Sequence, residues 1–284
     1  MKKRIIYSVA SAVTALALIV NAPASAQIKL PAASSAQTVT QDLGIHKVVL
    51  TYARPNVKGR TIFGGLIPYG EIWRTGANNA TTLAFEGDVR IGGQDVPAGT
   101  YGLFTIPGKN EWTVILNKNS KQWGSYTYDQ KDDILRLKVK PERLASKQET
   151  MTIAFSEVTT TSARVTLSWE HTAVSFDILA DQDAEIMAAI DKAMSGTGNK
   201  PYLQAAQYYY NNNKDIDQAL AWANEAEKGS PAAPHVRYWK ALIQLKKGDK
   251  KGALATAQEG LKIATSGNNQ EYIRLNQQVI DLAK

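Results

Sequence analysis

The sequence predicts an antiparallel all-β sandwich followed by an all-α helical-repeat domain, a multidomain α+β chain. Three observations predict it. From about Lys47 to Ile178, short extended segments recur with Gly, Pro, Asn and Asp between them. At Asp181 the apolar spacing changes from two residues to the helical three or four. Beyond that point the chain resembles itself: KDIDQALAWANEAEKGSP and GDKKGALATAQEGLKIATS superpose with Ala219 on Ala253, an offset of 34 residues.

The first residues, MKKRIIYSVASAVTALALIVNAPASAQ, place Lys2, Lys3 and Arg4 before an apolar run that reaches Val20, then end in Ala24-Ser25-Ala26. That pattern predicts a cleaved secretory signal peptide over 1–26, and a periplasmic or secreted chain with no transmembrane segment after cleavage. Residues 27–43 are rich in Ala, Ser, Thr and Gln without apolar period and are expected to form a flexible lead-in.

The sandwich is expected over 44–179. Its strands are expected at KVVLTYA, Thr81–Phe85, Asp88–Ile91, Thr100–Ile106, Glu111–Asn117, Leu135–Val139, Thr150–Phe155, Ala163–Glu170 and Ala173–Ile178. Trp112, Trp169, Phe104 and Val165 are expected to fill the core. A linker helix over 180–198 carries Ile186, Ala189, Ile190, Ala193 and Met194 on one face. Over 199–284, each copy of the repeat follows a helix-like run (Tyr202–Tyr210; Val236–Leu245), and small residues recur where paired helices approach, Ala219, Ala223 and Ala226 and then Ala253, Ala257 and Gly260. This 34-residue helix–turn–helix period resembles the tetratricopeptide repeat, which implies a groove for a peptide or protein partner. Glu271–Leu282, with Tyr272, Leu275, Val279 and Leu282 in one stripe, is expected to cap the stack.

Composition narrows the chemistry. The chain has 33 Lys and Arg against 26 Asp and Glu, and without Lys2, Lys3 and Arg4 the excess falls to about +4, too mild for a nucleic-acid partner. There is no Cys, which removes disulfides, thiolate metal sites, a cysteine nucleophile and a lipid-anchored N-terminus. His46, His171 and His235 stand apart with no ligand spacing, so no metal site is expected. Asp132-Asp133 is expected in a solvated turn. No Gly-x-Ser-x-Gly elbow occurs, the run Gly102–Lys109 is one residue too long for a phosphate loop, and no dinucleotide fingerprint or other cofactor signature is present.

The candidate site is the stretch RPNVKGRTIFGGLIPYGEIWRTGANNATT, Arg54 to Thr82, which sets Arg54, Lys58, Arg60 and Arg74 against one acid, Glu71. Guanidinium forks suit carboxylate, phosphate or sulfate, and turn glycines leave backbone N–H groups free to assist. Asn56, Thr75, Asn78 and Asn79 add neutral hydrogen-bonding groups, and Trp73 and Trp123 are candidate stacking platforms for sugar rings. The expected function is binding or scaffolding: the sandwich takes an anionic or sugar-bearing envelope component and the helices take a protein partner. The alternative is a hydrolase or isomerase whose carboxylates, Glu71, Glu86 or Asp88, converge beside Arg74.

The same stretch, followed by VPAGTYGLFTIP, EWTVILNK, WGSYTYD and DILRLKVKP, resembles segment by segment the domain-of-unknown-function family 2911 over about Val48 to Asp177. The family's usual RTGANE run reads RTGANN here, with Asn79 in place of a carboxylate. The resemblance implies the sandwich and carries no activity with it.

Overall fold

The computed structural model describes residues 30–284. The expected signal peptide lies outside them. Two antiparallel sheets occupy residues 35–179, and six helices follow over residues 183–283. Among the described residues no helix is long and apolar enough to cross a membrane.

The larger sheet has six strands. They are β1 (Ser35–Leu43), β2 (His46–Arg54), β3 (Thr81–Phe85), β6 (Gly99–Ile106), β7 (Trp112–Asn117) and β8 (Asp133–Val139), in that spatial order. The smaller sheet orders β5 (Gln94–Val96), β4 (Val89–Ile91), β10 (Ser162–Leu179) and β9 (Glu142–Ser156). Residues from both sheets share one core, in which Leu50, Leu83 and Leu116 meet Ile153, Val165 and Ile178. The expected core residues Trp112, Trp169, Phe104 and Val165 are all buried. Period-two alternation sends Leu103 and Leu116 into that core, while Phe104 and Ile115 point to the opposite face and pack with Ile72 and Tyr128. The larger sheet is thus covered on both faces where β6 and β7 run, which is why every residue of β7 is buried.

Three expectations need correcting here. The described part of the expected lead-in is largely β1, paired with β2 from Ser35↔Arg54 to Leu43↔His46. Its half-buried positions are Gln37, Val39 and Gln41, so an edge strand with a wet face carries no apolar period to read. The segments 163–170 and 173–178 are one long strand, β10, whose pairing with β9 slips on both sides of Glu170, a residue at φ +55°. Asp133 is not in a solvated turn: its side chain, 5 % exposed, accepts from Asn117 Nδ2 (2.8 Å), Tyr128 Oη (2.6 Å) and Arg136 Nη1 (2.6 Å).

The helices are α1 (Asp183–Ser195), α2 (Tyr202–Asn211), α3 (Ile216–Gly229), α4 (Pro234–Lys247), α5 (Lys250–Ser266) and α6 (Gln270–Ala283). Helix α1, expected as a linker, joins the helical core, where Ile190 packs with Ala205, Ala206, Tyr209, Ala219 and Ala223. The matched small residues Ala219, Ala223, Ala253, Ala257 and Gly260 are buried, as close helix approach requires. Helix α6 turns a different face inward from the expected stripe. Asn276, Val279, Ile280 and Ala283 are buried and Leu282 is 63 % exposed. The buried Asn276 donates from Nδ2 to the carbonyl of Tyr272 (2.8 Å) while its Oδ1 has no partner, and a polar residue in the seam disguises it in the sequence.

Sandwich and helices meet through Gln182, at the entrance to α1. Its Oε1 accepts from the N–H of Ile45 (2.7 Å) and its Nε2 donates to the carbonyl of Leu43 (3.2 Å). Gly44 lies between them at φ +64°, and a Cβ there would fall 1.9 Å from Gln182 Oε1. A glycine is required on both counts.

Candidate functional site

The 26 residues between β2 and β3, 55–80, form a braced cover tied to both sheets. At one end Asn56 bridges Thr150: the N–H of Met151 donates to the carbonyl of Pro55 (2.9 Å), and that of Val57 to the carbonyl of Glu149 (2.8 Å). At the other, Trp73 exchanges two backbone bonds with Thr105 of β6, 2.8 and 2.9 Å long. Between them Phe63 and Trp73 enter an aromatic cluster with Trp112 and Trp169. Trp73 and Trp169 stack at 5.9 Å between centroids and 20° between planes. Such pairs add about 0.5–1.5 kcal/mol each beyond area burial and fasten the cover to the sandwich core.

The cover is also strained. Lys58, Thr75 and Asn78 have φ of +48°, +55° and +59°. For the β-branched Thr75 that conformation is unfavourable. It is held because Thr75 Oγ1 donates to Thr105 Oγ1 (3.1 Å) and Thr81 Oγ1 donates to the Thr75 carbonyl (2.7 Å).

A recess of about 370 Å³ opens under this cover, lined among others by Asn56, Lys58, Arg60, Trp73, Arg74 and Trp169. Five of the nine sequence-predicted site residues therefore share one hollow. None of Lys58, Arg60 and Arg74 forms an ion pair among the described residues. Arg60 donates from Nε to the Val57 carbonyl (2.9 Å) and from Nη2 to the Asn56 carbonyl (2.6 Å), bonds that orient the fork without neutralising it. Arg74 Nε is buried and has no acceptor, and neither has the indole N–H of Trp169, a residue 1 % exposed. An unsatisfied buried donor costs about 1–3 kcal/mol. Two of them belong to side chains of one hollow.

Two acids bond the backbone of the cover, Glu149 at Lys58 (2.8 Å) and Glu170 at Ile62 (3.3 Å), and Glu149 also has its titration shifted. The backbone N–H of Lys58, then Lys147 and more weakly Arg60, hold its carboxyl below the usual range. It does not line the recess.

Four predicted residues lie elsewhere. Arg54 turns to β9, donating to the Met151 carbonyl (3.0 Å) and Thr152 Oγ1 (2.8 Å), and serves as a brace. Thr75 is 1 % exposed and sealed inside the loop, out of reach of a ligand. Asn78 and Asn79 are exposed and do not line the recess: the Asn78 amide donates to the carbonyl of Ser34 on its rim (3.5 Å), and Asn79 bridges Trp123. Trp73 is 4 % exposed and forms part of the aromatic cluster, so it offers no open stacking face. The carboxylates of the catalytic alternative do not converge on Arg74. Glu86 accepts from the N–H of Lys47 (3.0 Å), Asp88 from that of Ala98 (2.8 Å), and neither they nor Glu71 line the recess.

Trp169 is a wall of the site that no local sequence signal marks. It arrives from β10, nearly a hundred residues beyond Arg74.

No curated protein and no solved structure matches this chain. The family model described as "Protein of unknown function (DUF2911)" matches residues 34–178, from the start of β1 to the end of β10 and including Arg60, Arg74 and Trp169. The chain belongs to that family.

Proposed function

We propose that the sandwich is the ligand-binding part of an exported binding or scaffolding protein and that its recess receives an anionic oxygen group. The observation that carries this reading is Arg74, a cation with no carboxylate partner and a buried Nε with no acceptor, in a hollow shared with Arg60 and Lys58. An anion there would meet Lys58, Arg60 and Arg74, three cations without an ion pair among the described residues, and face no carboxylate in the lining. Export is supported by the sequence of residues 1–26, and a protein partner for the helices by the two stacked hairpins α2–α3 and α4–α5.

Isothermal calorimetry with sulfate, phosphate and succinate tests the reading. At least one of these should bind the full chain, and Arg74→Gln and Arg60→Gln should each weaken it about tenfold or more, equivalent to about 1.4 kcal/mol. Arg54→Ala should lower Tm, since its bonds to β9 are structural, while leaving anion affinity within a factor of about two. Binding that is indifferent to Arg74→Gln in a folded variant would sink the proposal.

A further inference from the structure

Beside the loop that carries Arg74, two aromatic side chains stand in solvent. Trp123 is 66 % exposed and Tyr126 79 %, and their rings stack at 5.7 Å and 23°. A tryptophan left this open forgoes burial worth about 1.5–3 kcal/mol or more. The segment holding them is not loose. Ala80 N–H donates to the Gln122 carbonyl (2.9 Å), Gly124 N–H to the Asn78 carbonyl (3.0 Å), and Thr127 Oγ1 to Gln122 Oε1 (3.1 Å), with Gln122 itself buried. Gly124, at φ +73°, lets Tyr126 fold back, since a Cβ there would fall 2.6 Å from the Tyr126 ring. The exposed aromatic surface is therefore built into a fixed turn.

What flanks it decides the occupant. Asn79, exposed and uncharged, borders the pair through its bridge to Trp123, while the Asn78 amide turns to the carbonyl of Ser34 (3.5 Å) on the rim of the recess. A side-chain amide beside a flat ring surface suits a ligand that presents hydroxyls at its edge and C–H groups on its face, which is the chemistry of a pyranose ring. The same loop joins the platform to the recess. Arg74 and Ala77 line the hollow, Asn79 is bridged to Trp123, and Arg74 and Asn79 are at most about 18 Å apart along the chain.

The geometry points to an acidic oligosaccharide as the ligand: one sugar ring lies on the exposed outer face of the Trp123–Tyr126 stack beside the Asn79 amide, while a carboxylate or sulfate further along the same saccharide enters the recess at Arg74 and Arg60. This assignment rests on the anion-binding reading of the recess and adds to it a second subsite and a ligand class.

Calorimetry on the full chain tests both parts separately, using tetragalacturonate, a heparin-derived tetrasaccharide, the neutral galactotetraose and inorganic sulfate. One of the two acidic saccharides should bind at least tenfold tighter than the neutral one; tetragalacturonate carries carboxylates alone, so its binding shows that a carboxylate suffices, and binding of the heparin fragment alone shows that sulfate is needed. Trp123→Ala/Tyr126→Ala should weaken that saccharide at least tenfold and leave sulfate affinity unchanged, since both side chains are exposed and absent from the recess. Arg74→Gln should weaken saccharide and sulfate together. Saccharide affinity unchanged in the aromatic double variant overturns the platform while the recess reading stands. Equal binding of acidic and neutral saccharides, or no binding of either acidic one by a chain that binds sulfate, overturns the ligand class. Loss of sulfate binding in the double variant overturns the platform, by showing that the pair acts on the fold.

Discussion

Arg54 and Arg74 are both arginines of one turn-rich stretch, yet their surroundings give them opposite tasks. The first donates to a carbonyl and a hydroxyl of β9, whereas the second keeps a buried Nε without an acceptor. Sequence alone presents them as equals, because the difference lies in which strand stands opposite each. Tyr128 shows the same dependence on neighbours. Burial first, and then its hydrogen bond to Asp133, push the phenol up to about 12. An unfolded tyrosine titrates near 10. Because the folded value is the higher one, the stability it contributes is intact below about pH 10 and is lost as pH rises through about 12. Thermal melts between pH 9 and pH 12 should therefore show a steep alkaline loss of Tm that is shallower in Tyr128→Phe. Parallel curves for the two proteins would disprove the assignment.

The helices display the rules that make elements legible. Asp215 caps α3 by accepting from the N–H groups of Asp217 (2.9 Å) and Gln218 (3.1 Å), and Asp249 caps α5 through Gly252 (2.8 Å). These two aspartates occupy the same position in successive copies of the repeat. Asp215→Ala and Asp249→Ala should each cost about 1 kcal/mol in urea unfolding of the helical part, and the double variant about the sum. A double variant no less stable than either single one would contradict that. Helix positions were readable because caps, small residues and apolar spacing all act within a few residues of each other. Strand β1 was not, since its inward positions are Gln37, Val39 and Gln41 and only the pairing with β2 makes it a strand. Strand β10 was read as two because its irregular pairing around Glu170 interrupts the alternation.

Across the whole molecule, the sandwich core and the two helical cores have no residue in common. The bonds of Gln182 to Leu43 and Ile45, and a contact of 2.9 Å between His46 and Glu185, connect the two parts. Gln182→Ala leaves a carbonyl and an N–H at this junction without their partner. Calorimetric scans should then separate into two transitions further apart than in the parent protein. Identical traces would mean the parts melt independently of Gln182. The recess became visible only at this scale. Its cationic wall was legible as an unneutralised cluster between glycines, but its indole wall comes from β10 and is brought there by the closing of one sheet over the other. That indole wall has a practical consequence. Trp73 and Trp169 are near-parallel and within 6 Å, close enough for their excited states to mix, and both line the hollow. Such a pair gives a paired-sign signal in ultraviolet circular dichroism whose size depends on the angle between the rings. The anion proposed to enter beside Arg74 would alter the electric field across that pair, so a change in this signal on adding sulfate would report binding without an added dye.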